Sequence, residues 1–297
     1  MSRAGRDDVR ADGPGREPER RADAERTGRR PQLPTDRLTL PRSERRETVE
    51  FRDRTYRLRG SESRLLATVG AFRVVPEKDL SGGRSNSSNT VREDLRRLAD
   101  QGLVVSRTLP INREPTRVAV LTREGKALLD DRQCASDSPA QQFHAGLVKP
   151  RELAHDAQLY RLYQAEASRL EDAGARIERV VLDYEFKRDY QTFLNRSDRP
   201  EDADREEETE AFAAGRGLPV IDAHLQLPDL RIEYETLDGR HETRDLELVT
   251  EHYSRSQMAG KAKAGFGMYK AAGAGRLRAS ASRTGGTPFD PHLLERL

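Results

Sequence analysis

Apolar positions in the first third of the chain recur three and four residues apart. Leu65, Leu66, Val69 and Phe72 form one stripe behind a capping Ser61. Val91, Leu95 and Leu98 form another over residues 88–101, closed by Gly102. Such spacing predicts two amphipathic helices, with residues 76–80 as a short helix between them and the flexible 81–87 as a connection. After Gly102 the period shortens to about two residues, so 103–109 and 116–121 read as strands around a turn at 110–115. A fourth helix starts at Thr122. Residues 131–149 keep neither period and read as a linker. Residues 150–173 predict a long helix, with Leu153, Leu159, Tyr160, Leu162, Tyr163, Ala167 and Leu170 inward and Gly174 at its end. The Val/Leu run in 175–186 reads as a strand, and the acidic 198–210 as an exposed helix or insertion. Residues 229–236 and 243–249 read as a hairpin turned by Asp238-Gly239, and 256–270 as a Gly/Ala-rich helix.

Composition divides this pattern. At 297 residues the chain exceeds one ordinary core of roughly 100–200 residues. Charged residues make up 35% and aromatics 5%, with no Trp, so part of the chain lacks the apolar surface to order itself. Residues 1–50, with 13 basic and 11 acidic residues and no apolar period, read as a disordered charged arm, and 276–297 as a basic flexible tail. The single cysteine, Cys134, excludes an internal disulfide and a Cys-based zinc site, and fits a reducing cytosol. No apolar run approaches the roughly 20 residues that cross a bilayer, and the N-terminus is charged where a signal peptide is apolar. A cytoplasmic protein without membrane contact is expected.

Three helices, a two-stranded wing and a closing helix over residues 51–130 is the order of a winged helix-turn-helix domain. This block holds 16 Lys/Arg against 10 Asp/Glu, whereas 131–260 holds 17 against 28 and 261–297 holds 7 against 2. A net charge of +6 on such a domain points to double-stranded DNA as partner. The third helix would turn Asn89, Arg92, Arg96 and Arg97 outward, together with Glu93. Arg92 and Arg96 lie one turn apart, so both guanidiniums can meet phosphate or a guanine edge. Arg113 and Arg117 on the wing would add backbone contacts. The rival reading is a winged helix used for protein contact, its arginines merely solvated.

Residues 150–275 have an α/β order, helix, strand, strand, strand, helix, for which a small mixed sheet is expected. Residues two apart on a strand share a face, which sets Asp245, Glu247 and Val249 on one side of the second hairpin strand. Asp229 begins the partner strand. Two carboxylates at one point are strained unless a cation or proton joins them, and hard oxygens suit Mg²⁺. The rival is a hairpin with surface acids. Glu185 reads as a surface acid in preference to a third ligand. His144 and His155 are too far apart for a one-turn metal pair, and His155-Asp156 reads as a buried, hydrogen-bonded pair. The chain has no phosphate-cradling Gly loop, zinc spacing or Gly-x-Ser-x-Gly elbow. Gly260, Gly265 and Gly267 lack the strand-to-helix context of a dinucleotide site.

Pro228-Asp229, a hairpin and then Glu247 in a hydrophobic strand resembles the PD-(D/E)xK nuclease core. That resemblance implies that Asp229 and Glu247 bind Mg²⁺ and that a lysine two residues after the second acid helps position water. Val249 stands at the lysine's position. Members of the superfamily can supply it from the following helix, where Lys261 and Lys263 lie. With the winged helix, His155-Asp156 and Lys261 ahead of Tyr269, the chain over about residues 52–275 is similar to the replication-relaxation protein family of plasmids and integrative elements, which couples a winged helix to a restriction-endonuclease-like domain.

The expected architecture is therefore a winged helix at 51–130, a linker at 131–149 and a restriction-endonuclease-like α/β domain at 150–275. The expected function is DNA binding in plasmid or integrative-element replication, mobilisation or regulation. Two alternatives stay open: a Mg²⁺-dependent DNA endonuclease or nickase with Asp229, Glu247 and Lys261 catalytic, and an interaction platform with an inactive nuclease-like domain. The family reading brings replication or mobilisation proteins as partners. A homodimer is a further partner state that winged helices often adopt, although no heptad seam marks one.

Overall fold

The computed structural model describes residues 32–81, 85–135, 139–150, 152–200, 202–250 and 253–270, with the backbone alone at 85–88. Strands β1 (Glu47–Phe51) and β2 (Arg54–Leu58) form an antiparallel hairpin. Val49, Phe51, Tyr56 and Leu58 alternate with exposed residues, and that alternation seats the hairpin by one face. Helix α1 (Gly60–Ala71) starts at Gly60, where a Cβ would stand 2.1 Å from the Arg42 carbonyl oxygen. Ser61, expected as its cap, lies inside the first turn and donates to Asp94 at 2.7 Å.

Strand β3 (Val75–Pro76) and helix α2 (Glu77–Leu80) lead to α3 (Ser85–Asp100). Leu95 and Leu98 on α3 are buried, Val91 packs against the same core, and Gly102 follows at φ 74°. Strands β4 (Val104–Ile111) and β5 (Glu114–Leu121) outrun the expected six-residue turn. They meet at Asn112-Arg113, whose φ values of 51° and 66° match the left-handed pair of a type I′ hairpin. The sheet order is β3-β5-β4. Helix α4 (Arg123–Asp131) is capped by the Thr122 hydroxyl, which accepts from the Gly125 amide at 3.0 Å.

Helix α5 (Leu153–Asp172), strand β6 (Arg176–Leu182), α6 (Asp183–Leu194), α7 (Arg205–Arg216) and the short ribbon β7 (Val220–Ile221) and β8 (His224–Leu225) come next. Strands β9 (Leu230–Glu235) and β10 (His241–Val249), helix α8 (Arg255–Lys263) and strand β11 (Gly267–Lys270) complete the described chain. The four-stranded order is β11-β10-β9-β6, with β10 and β11 parallel and the other pairs antiparallel. This is a mixed α/β chain with small sheets and eight helices among the described residues. None of those helices is long and apolar enough to cross a membrane.

Several expectations need correction. Of the arm drawn at 1–50, residues 32–50 are described, and Leu33, Leu38 and Leu40 are buried in the main core. The Leu33 amide donates to Thr68 at 3.0 Å and the Thr39 amide to Arg132 at 2.7 Å, so three leucines and backbone pairing replace the missing period. In the linker at 131–149, Phe143 is buried and Gln141 brackets Val180 of β6 through its amide, 2.9 Å and 3.0 Å. The strand drawn at 175–186 stops at Leu182. The Glu185 carboxylate accepts the Leu182 amide there at 3.1 Å and, with Asp183, favours a helix N-terminus. The helix drawn at 256–270 ends at Lys263. Gly265 turns at φ 80°, and 267–270 become β11, where Gly267 fits because a Cβ would lie 2.9 Å from Leu246. The expected tail at 276–297 lies outside the described residues.

The main core runs through both halves of the chain. Phe72 stands 5.2 Å from Tyr160 and 5.0 Å from Tyr163, ring centre to ring centre. Arg161 of α5 meets Asp79 at 2.6 Å, and Gln164 donates to the Asp79 carbonyl at 2.9 Å. Burying each such aromatic stabilises by roughly 1.5–3 kcal/mol. Helix α5 therefore joins the two halves.

Candidate functional site

Pairing of Leu246 with Leu230 brings Glu247 and Asp229 together at the end of the β9–β10 ladder. Asp229 is 8% exposed and Glu247 0%, so the pair is no surface decoration. Asp229 Oδ2 accepts from the Leu248 amide at 2.8 Å, and this fixes the carboxylate against the neighbouring strand. Glu247 Oε1 receives Tyr253 Oη and stands 3.2 Å from Lys261 Nζ. The lysine also donates to the Leu227 carbonyl. Its helix is set by Ser254, which accepts from the Gln257 amide at 3.2 Å. Lys261 thus reaches the acids from α8. Lys263 instead meets Asp222 at 3.2 Å, and Val249 pairs with Lys270 of β11.

The charge balance is unusual. Burial, and then the Asp229 charge, push the Glu247 carboxyl up to about 7, while Lys261 and Tyr253 oppose the rise. Burial and the same two carboxylates push the Tyr253 hydroxyl up. Glu247 Oε2 is buried with no hydrogen-bond partner among the described residues, an expensive state for a carboxylate oxygen.

Sequence reasoning missed the role of His155 here. From the first turn of α5, its Nε2 lies 3.2 Å from Asp229 Oδ1 and its Nδ1 3.2 Å from Asp156 Oδ1. Burial disfavours the imidazolium, but the hydrogen bonds and charges of Asp156 and Asp229 outweigh it and push the group up to about 10. Arg73 in turn holds Asp156 at 3.2 Å. The expected hydrogen bond between His155 and Asp156 is present, with Asp156 buried but His155 only half-buried, and it extends to the acid on β9. No spacing in the sequence links positions 155 and 229. Glu185 is also corrected: it is 2% exposed, with Oε2 buried and unpartnered among the described residues. Its place three residues after a strand end was the available signal. Among the described residues no group of three or more His, Cys, Asp or Glu is set to hold a metal ion.

On α3, Asn89, Arg92 and Arg96 are exposed, and neither arginine has an ion pair among the described residues. Arg97 is half-buried and bound to Glu93 at 2.8 Å, a hydrogen bond that holds the Glu93 carboxyl below its ordinary value. Arg113 is exposed at the tip of the β4–β5 turn, while Arg117 is committed to Glu77 at 3.0 Å. Of the six expected DNA contacts, Arg97 and Arg117 thus begin with protein partners. Compared with known proteins, the chain matches no family model, no curated protein and no solved structure.

Proposed function

We propose that the chain is a duplex-DNA-binding protein of the replication-relaxation kind, acting in mobile-element replication, mobilisation or regulation. The observation that carries the reading is the face of α3. Arg92 and Arg96 are exposed one turn apart, while Leu95 and Leu98 on the same helix are buried. The order α1, β3, α2, α3, β4, β5 suits a winged helix, with Arg113 at the wing tip. Exposed guanidiniums one turn apart fit a groove or its phosphates. A gel shift on duplex DNA tests this: binding falls steeply with salt and falls further in Arg92→Ala with Arg96→Ala. Binding by that double variant equal to the wild type would sink the reading.

A second reading, Mg²⁺-dependent strand cleavage, is favoured by the 3.2 Å approach of Lys261 to Glu247. The order α5, β6, β9, β10, α8, β11, with β10 and β11 parallel, suits the PD-(D/E)xK resemblance, with the lysine supplied by α8. The residues fit a hard cation: Asp229 and Glu247 would hold it, and the unpartnered Glu247 Oε2 is an open oxygen donor. When bound, Mg²⁺ would polarise a phosphodiester oxygen and lower the pKa of water. Lys261 keeps a positive charge at Glu247, and His155 balances the charge on Asp229. Supercoiled plasmid with Mg²⁺ is the assay. Conversion that disappears in Asp229→Ala and in Glu247→Ala supports cleavage; plasmid left intact under conditions that shift DNA refutes it.

A further inference from the structure

An open cleft of about 570 Å³ lies between the β1–β2 hairpin and the last turn of α3. Four arginines line it, Arg45, Arg46, Arg57 and Arg97, against one acid, Asp100. The last turn of a helix carries negative partial charge, so attraction for an anion here must come from the guanidiniums. Two of them are held in place: Arg46 by Glu62 at 2.8 Å and Arg97 by Glu93 at 2.8 Å. Arg45 and Arg57 are exposed and have no ion pair among the described residues. The cleft is also braced. The side-chain amide of Gln101 accepts from the Arg57 amide at 2.7 Å and donates to the Arg57 carbonyl at 3.3 Å, which ties the hairpin edge to the end of α3.

We infer that this cleft is a phosphate clamp, in which Arg45 and Arg57 grip the backbone of the same DNA duplex that α3 meets. The inference rests on the DNA-binding reading and extends its footprint to the hairpin. Continuity supplies the occupant: Arg97 lines the cleft and follows Arg96 on α3, so a strand passing along that helix runs into the cleft. Guanidiniums recognise phosphate by charge and paired donors, without regard to base sequence.

The test is duplex binding by fluorescence anisotropy across a salt series, for wild type, Arg45→Ala with Arg57→Ala, Arg45→Lys with Arg57→Lys, and Arg92→Ala with Arg96→Ala. Each lost phosphate contact lowers the log–log salt slope by about 0.9, so the first double variant loses about 1.8. The wild-type advantage over it then shrinks roughly tenfold between about 50 and 200 mM salt. The lysine variant keeps most of the slope. An unchanged slope in Arg45→Ala with Arg57→Ala, while Arg92→Ala with Arg96→Ala loses binding, overturns the clamp and leaves the α3 reading standing. Loss only in the hairpin variant, with Arg92→Ala and Arg96→Ala binding as wild type, refutes the α3 reading and with it overturns a clamp on the duplex that α3 meets. Inorganic phosphate and ATP are added separately in thermal unfolding. Stabilisation of wild type but not of the hairpin variant, with no difference on DNA, assigns the cleft to a small phosphorylated ligand and overturns the backbone clamp.

Discussion

Replacing Glu247 with Gln keeps its volume and an acceptor for Lys261 and Tyr253, and removes the buried charge. A carboxyl whose folded pKa lies above its unfolded value holds its proton more tightly when folded. Its contribution to stability is fully present below about 4.5 and is lost as pH rises through the folded value of about 7. A rise from 4.5 to about 7 corresponds to about 3 kcal/mol in a side chain with no solvent exposure. The assay is urea unfolding followed by far-UV circular dichroism at about pH 5 and pH 8. Other titrating groups are common to both proteins, so the difference between their pH dependences isolates this site to first order. Because part of the effect is already spent at pH 5, wild type is expected to lose roughly 2–3 kcal/mol more than Glu247→Gln between those conditions. Equal losses would refute the claim that Glu247 is held as a buried, strained acid beside Asp229.

His155→Asn removes the cation between Asp156 and Asp229. The raised His155 value contributes stability that is complete below 6.5 and lost as pH rises through about 10, so the variant should show a flatter unfolding free energy across that alkaline window. Phe72→Ala removes the ring that meets Tyr160 and Tyr163 and should cost roughly 3–5 kcal/mol by chemical denaturation. Because α5 shares one core with both halves, the wild type should unfold in one transition by circular dichroism and by limited proteolysis; two separated transitions would contradict the shared core.

Much of the fold was legible wherever apolar spacing was regular. The stripe of Val91, Leu95 and Leu98, and that of Leu159, Tyr160, Leu162 and Tyr163, mark helices that the structure contains. Legibility failed where local chemistry outweighed period. The run 175–186 carries strand formers at Ile177, Val180, Val181, Tyr184 and Phe186, and the acids Asp183 and Glu185 convert its end to a helix. Asn112-Arg113 turn tightly in left-handed conformations, which Asn112 favours but Arg113 does not announce as Gly would. At the acid pair, strand parity was sufficient to bring Asp229 and Glu247 together, because alternation and register are local. His155, Tyr253 and Lys261 arrive by tertiary packing from α5, the segment after β10, and α8. Lys261 had a signal, the valine at the position where the resemblance asks for lysine, and His155 had one in the His155-Asp156 pair quoted for the family resemblance, though neither named Asp229 as the partner of His155.

The DNA-binding claim is tested most directly by amide hydrogen exchange with and without a saturating duplex. Contact through α3 and the wing predicts slower exchange over residues 89–97 and at 112–117, with the acidic segment around α7 unchanged. Unchanged exchange over 89–97 in the presence of bound DNA would contradict it.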